Sequence, residues 1–171
     1  MNLANVRFYQ GELDDARALY SDARQEFNSI GNRLYEALCD ANIGVVDSES
    51  GRYGQALAHH ERARVTLAAL QTKYHVALSH YNLGKTWREL GDLPTASKQL
   101  DTAYHLFEEI GSRFAAARAL VHLALIDARQ GRGAEALARV SQARKTCEDS
   151  GAEGYVAVCD QVAGEIHAHS G

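Results

Sequence analysis

The chain has 171 residues, 46% of them hydrophobic, which is enough to bury a substantial core and too apolar for a disordered segment. Its 18 Lys+Arg against 22 Asp+Glu leave a formal charge of −4, so no global basic field draws it to nucleic acid or to an anionic membrane surface. Three dispersed cysteines without a CxxC pair, no apolar run of about 18–20 residues and no signal-peptide core argue against a disulfide scaffold, a thiolate metal site and a membrane span, and point to a reducing cytoplasm.

From the N-terminus, MNLANVRFYQ supplies the last part of a helix before Gly11, and an amphipathic run then leads to Gly31. Three longer copies follow, each a helix, a tight turn and a second helix. Their first helices start at Asn32, Thr72 and Ser112, residue types that serve as N-caps. The third copy is the best preserved. Its first helix passes through Leu90-Gly91-Asp92-Leu93-Pro94 into a second helix that ends at Gly111. Glycine suits the positive φ that ends a helix, while Asp92 and Pro94 suit the start of the next. Residues 154–168 repeat the first-helix pattern with no second helix after them, and are expected to cover the last exposed core face. The expectation is one all-α domain over 1–171. It is a solenoid of four antiparallel helix pairs at about 1–31, 32–71, 72–111 and 112–151, closed by a terminal helix at 152–169. The start inside a first helix also fits a fragment of a longer protein.

The period is carried by small residues. Gly11, Gly51, Gly91 and Gly131 stand 40 residues apart. Gly31, Gln71, Gly111 and Gly151 keep the same spacing with one substitution, so a more continuous helical corner is expected at Gln71. Ala16, Ala56, Ala96 and Ala136 recur with Ala23, Ala63, Ala103 and Ala143, two helical turns along one face, where small side chains let helices approach closely. Leu3, Ile43, Leu83 and Leu123 form one expected core column, and Phe27, Leu67, Phe107 and Cys147 another. Ile30, Leu70 and Ile110 are expected to fold back under the C-terminal caps.

These residues resemble the tetratricopeptide repeat family over essentially the whole chain. Tyr81-Asn82-Leu83-Gly84 with Trp87 matches the first-helix signature, more weakly repeated at Asn42-Ile43-Gly44 and Asn2-Leu3-Ala4. Gly91-Asp92-Leu93 with Ala96 and Ala103 matches the turn and second helix. The repeat here is 40 residues, against a usual 34, and the closing proline is absent. In this it is similar to the longer-helix subgroup found in cell-polarity adaptors and in sensor domains of maltose-activator-type bacterial transcription regulators. The resemblance implies a right-handed superhelix and a non-catalytic scaffold that binds a protein or peptide in a concave groove lined by the first helices. Two alternatives stand beside it: a sensor segment of a larger bacterial regulator, and a structural module that forms a homodimer through uncovered terminal repeats.

On that resemblance, the inward columns of the first helices meet the ligand. One column holds Asn2, Asn42, Asn82 and His122, and an asparagine amide offers both a donor and an acceptor to an extended main chain. The same amides equally fit hydrogen bonds to a neighbouring helix. Tyr81, Lys85, Arg88, Glu89, Arg118 and Arg129 complete the candidate groove. The basic members form either a patch for carboxylates or a solvated face paired with Glu49 and Glu89. Trp87 reads as core.

Chemistry finds no foothold. His59 and His60 are adjacent and diverge around a helix, His75 and His80 are five apart, and only His167 with His169 suggests a weak metal pair. His60 shares its column with Tyr20, Leu100 and Val140 and reads as a core histidine. The cysteines fall in apolar columns, and no GxSxG, HExxH, GxxxxGK[ST] or GxGxxG motif occurs. No enzyme activity, cofactor or metal is expected.

Overall fold

The structure, a computed structural model, describes residues 2–170, with side chains through Ala168. The described residues form nine helices and no strand: α1 (Asn2–Tyr9), α2 (Leu13–Ser29), α3 (Arg33–Glu49), α4 (Tyr53–Ala69), α5 (Lys73–Leu90), α6 (Leu93–Glu109), α7 (Arg113–Arg129), α8 (Gly133–Asp149) and α9 (Glu153–Ser170).

The corners have a common construction. Helix α5 ends with Gly91 at φ 84°, and Gly91 and Asp92 return their N–H groups to the carbonyls of Arg88 and Trp87, each at 3.1 Å. The Asp92 carboxylate then caps α6 by accepting from Thr95 N–H at 3.1 Å, and Pro94 occupies the first turn, where its missing donor costs nothing. The continuous corner expected at Gln71 is not found. Gln71 takes φ 56°, and its N–H bonds to Ala68 at 3.0 Å as a glycine does in the equivalent turns. The turn geometry is imposed by the packing of α4 against α5, and a non-glycine residue carries a left-handed conformation that costs about 1–2 kcal/mol. Of the expected caps, Asn32 accepts from Tyr35 N–H at 3.3 Å, whereas Thr72 turns its hydroxyl back to the Leu67 carbonyl at 3.0 Å.

Each helix packs antiparallel on the next, and the odd helices α3, α5, α7 and α9 also touch one another. The stack therefore curves with the odd helices on its inner side. Its core is made of the small columns. Ala16, Ala56, Ala96 and Ala136 are fully buried, and the approach is close enough that a Cβ on Gly84 would stand 2.6 Å from Leu100 Cγ. A Cβ on Gly44 would meet the His60 ring at the same 2.6 Å. His60 is buried, as its column implies, and Trp87 packs at the edge of the main core.

Three apolar expectations are corrected. Leu3 is 56% exposed while Ile43, Leu83 and Leu123 are buried, because α1 packs on α2 and no described helix covers its outer flank. Phe27 is half-buried, stacked on Tyr35 at 5.1 Å. Ile30 and Leu70 are exposed and Ile110 half-buried, since these residues sit on the corner itself and the cap is closed by backbone bonds without them. On α9, Ala157 and Gly164 keep the register of the small columns but are exposed.

Buried carboxylates bind the helix pairs together. Asp47 accepts from Arg17 Nε at 2.7 Å and Arg52 Nε at 2.9 Å, while Asp127 pairs with Arg132 and with Arg139 Nε at 2.8 Å. Asp40 gathers Arg24, His59 and Arg62. Burial pushes the Asp40 carboxyl up, but the His59 hydrogen bond and the two guanidiniums outweigh it and hold the group below the usual range.

Candidate functional site

The inner face is built by α3, α5 and α7, whose turn-by-turn register places every fourth or third residue along one line. Asn42 on α3 and Asn82 on α5 are half-buried on it, and their side-chain amides make no hydrogen bond to the described residues. The alternative in which they tie neighbouring helices together is absent. Asn2 is exposed at the end of this line, and His122 differs from all three in being fully engaged.

Arg88 Nη1 donates to His122 Nδ1 at 2.7 Å. An arginine cannot accept, so Nδ1 carries no proton, and the neutral ring donates from Nε2 to the Tyr81 hydroxyl at 2.8 Å. Burial first, then the charges of Arg88, Lys85 and Arg118, hold the His122 pKa well below its ordinary value. Tyr81 Oη also accepts from Arg118 Nη2 at 3.3 Å, and the Arg118 guanidinium lies 4.9 Å from the Tyr81 ring centroid. Burial raises the Tyr81 phenol, against the two arginines.

The carboxylates do not cancel these cations. Lys85 Nζ is 3.9 Å from Glu49, Arg88 pairs with Glu89 at 2.5 Å, and Arg118 has no described carboxylate within the 4.0 Å of an ion pair. Burial, opposed by Glu49 and reinforced by Arg118 and Arg88, lowers the Lys85 pKa. Arg129 stands apart at the end of α7, reaching the Arg88 carbonyl at 3.4 Å. Seven of the nine candidate residues thus gather around α5, namely Asn82, Tyr81, Lys85, Arg88, Glu89, Arg118 and His122. Asn42 lies one inner helix earlier, on α3, and Arg129 at the rim.

Sequence reasoning missed two groups. Tyr155 on α9 shares Arg118 with Tyr81 and makes an edge contact with Phe114 at 5.4 Å. Phe8 and Tyr9 on α1, with Tyr20, border a hollow of about 250 Å³ next to Asn42. The signal for Phe8 and Tyr9 was available: they stand 40 residues before Ser48 and Glu49, in the columns that also hold Arg88 and Glu89.

Among the described residues no cluster of His, Cys, Asp and Glu could hold a metal, and the weak pair considered at the C-terminus rests on the His169 side chain, outside the described residues. Cys39, Cys147 and Cys159 are buried, and burial pushes Cys39 and Cys159 up to about 11, the wrong direction for a nucleophile. No described helix is long and apolar enough to cross a membrane.

Residues 1–65 match the family model described as tetratricopeptide repeat. A crystal structure of a putative kinesin light chain from Podosopora anserina with nearly identical TPR-like repeats superimposes on 98% of this chain and 92% of its own with a TM-score of 0.71, at 12% identity. The fold is that of tetratricopeptide repeats. The regulatory protein RapG of Bacillus subtilis (strain 168) is 25% identical over 142 residues, 82% of this chain and 39% of RapG. A Rap protein crystallised in complex with Competence and Sporulation Factor matches 95% of this chain with a TM-score of 0.86 at 20% identity. The chain spans 49% of that structure, so it corresponds to about half or less of these Rap proteins. In this tetratricopeptide-repeat solenoid the inner layer of odd helices is the layer that carries Asn42, Asn82 and the α5 cluster.

Proposed function

We propose that this chain is a non-catalytic scaffold that binds a protein or peptide segment reversibly along its concave face. The observation that carries the reading is the pair of half-buried, unpaired amides of Asn42 and Asn82, on neighbouring inner helices beside the Tyr81–Lys85–Arg88–Arg118 cluster. An unengaged amide with both a donor and an acceptor suits the main chain of an extended segment. The similarity to a Rap protein held in a complex supports a binding role. Glu89, His122 and Arg129 act in this reading as the groove's shaping residues, with His122 orienting Arg88.

The test is a pull-down read by mass spectrometry, wild type against Asn42→Ala/Asn82→Ala. Captured proteins are expected to be lost from the double variant while its helicity by circular dichroism stays unchanged. Capture that survives the double substitution sinks the groove reading.

A second reading, a regulatory segment of a larger bacterial regulator working in the cytoplasm, draws on the similarity to RapG, which is called a regulatory protein. It is compatible with the first, and sequencing the complete reading frame for an effector domain decides it.

A further inference from the structure

Three larger hollows follow one another along the concave face of the described residues, with a small cleft beside Asn82 between the first and the second, and their linings differ. Between α1, α2 and α3 the rings of Phe8, Tyr9 and Tyr20 share the lining with the amides of Asn5 and Asn42, so the wall offers aromatic faces among polar groups. Beside α3, α5 and α7 a hollow of about 420 Å³ has Lys85 and Arg88 in its wall together with Glu49 and Glu89, and Arg118 adds a third cation next to it, over the same Tyr81 ring as Lys85. Between α7 and α9 the wall is largely apolar, from Leu125 and Ala128.

Resting on the groove reading above, we propose that the bound segment is an extended chain with an acidic side chain at its centre and an apolar or aromatic side chain about five residues to either side. The central residue sits between Lys85, Arg88 and Arg118, and the flanking ones fill the hollows at α1–α3 and α7–α9.

Charge and spacing both lead to such a segment. Lys85 and Arg88 each have one carboxylate beside them, whereas Arg118 is held by phenol oxygens and the Tyr81 ring, so the three cations outnumber the two carboxylates and an incoming carboxylate gains the attraction of the surplus charge. Glu49 and Glu89 are the carboxylates already present. Their side chains are 52% and 37% exposed at the rim, where they can swing to solvent as a ligand enters. Neighbouring inner helices touch, which sets them about 10 Å apart. Each end hollow lies one and a half to two such steps from the centre, about 15–20 Å, and an extended chain covers this in about five residues at roughly 3.3 Å each.

The experiment selects random 12-residue peptides displayed on phage against the 171-residue chain, against Lys85→Glu/Arg118→Glu, and against Asn42→Ala/Asn82→Ala. The expected winners carry a central Asp or Glu with Leu, Phe or another apolar residue about five positions away on both sides. A synthetic winner, amidated at its C-terminus so that only side chains supply carboxylates, is expected to bind at least about tenfold more weakly when its central Glu is changed to Gln. The charge-reversed variant is expected to select a central Lys or Arg instead. Arg118→Gln, which keeps the size of the side chain, repeats the measurement should the reversed variant lose helicity. Winners that lack the central acid, or identical winners from the wild-type and reversed chains, overturn the inference and leave the groove reading standing. A selection yielding no peptide that Asn42→Ala/Asn82→Ala fails to bind removes both.

Discussion

His60 and His122 are both held neutral inside the fold, and they make stability depend on pH in a defined direction. Burial first, then the charges of His59 and Lys85, push His60 down to about 4, below the roughly 6.5 of an exposed imidazole. The unfolded chain therefore binds the proton more readily between these values. Stability is complete above about 6.5 and falls as the pH drops toward about 4, by roughly 3 kcal/mol for His60 alone. Urea denaturation at pH 7.5 and 4.5 should show this loss. His60→Leu is expected to remove much of it, because Leu100 already occupies the same column over Gly84 as His60 does over Gly44. A steep acid loss that persists unchanged in the variant would assign the effect elsewhere.

At the scale of elements, contact between a pair's two helices depends on the absence of a single methyl group. A Cβ on Gly84 would lie 2.6 Å from Leu100 Cγ and 3.1 Å from the backbone oxygen of Ala96, and a backbone atom cannot turn aside as a rotamer can. Gly84→Ala should therefore lower stability by about 1–3 kcal/mol through forced separation of α5 and α6. Gly164 stands 80 residues later in the same register on α9, with nothing within 4 Å of its would-be Cβ. There Gly164→Ala should stabilise by about 0.5–1 kcal/mol, as alanine does in an open helix interior. Thermal melts of the two variants check the pair, and shifts of the same sign would mean that close approach is not what fixes the small columns.

For the whole molecule, the two ends differ from the middle. Leu3 and Val6 are 56% and 50% exposed on α1, while their equivalents Ile43, Val46, Leu83, Leu123 and Ile126 are buried against a neighbouring helix. These two exposed apolar side chains are the place on α1 where a second copy of the 171-residue chain is predicted to dock. Light scattering over a concentration series is expected to show growth in mass that Leu3→Lys/Val6→Lys abolishes. A strictly monomeric chain at high concentration would eliminate α1 as an association surface.

Much of the architecture was legible in the sequence, because a repeat writes the same packing constraint four times. Gly84 and the alanine columns at 16, 56, 96 and 136 mark where helices touch, and the asparagines at 42 and 82 mark the inner face. Local geometry at Gln71 was not legible, since neighbouring helices impose a left-handed turn that its residue type disfavours. The exposure of Leu3 and Ile30 also escaped a column reading, which assigns every copy the environment of the average one. The candidate groove divides in the same way. Its residues follow from register, but only the tertiary structure could decide that Asn82 is unengaged while His122, in the same column, is held by Tyr81 and Arg88. It alone could also decide that Arg118 meets phenols where no described carboxylate stands. Sequence periodicity determines which face a side chain occupies, because that depends on its own helix. Whether the side chain is partnered depends on atoms 34 to 41 residues away, whose positions only the packed solenoid sets.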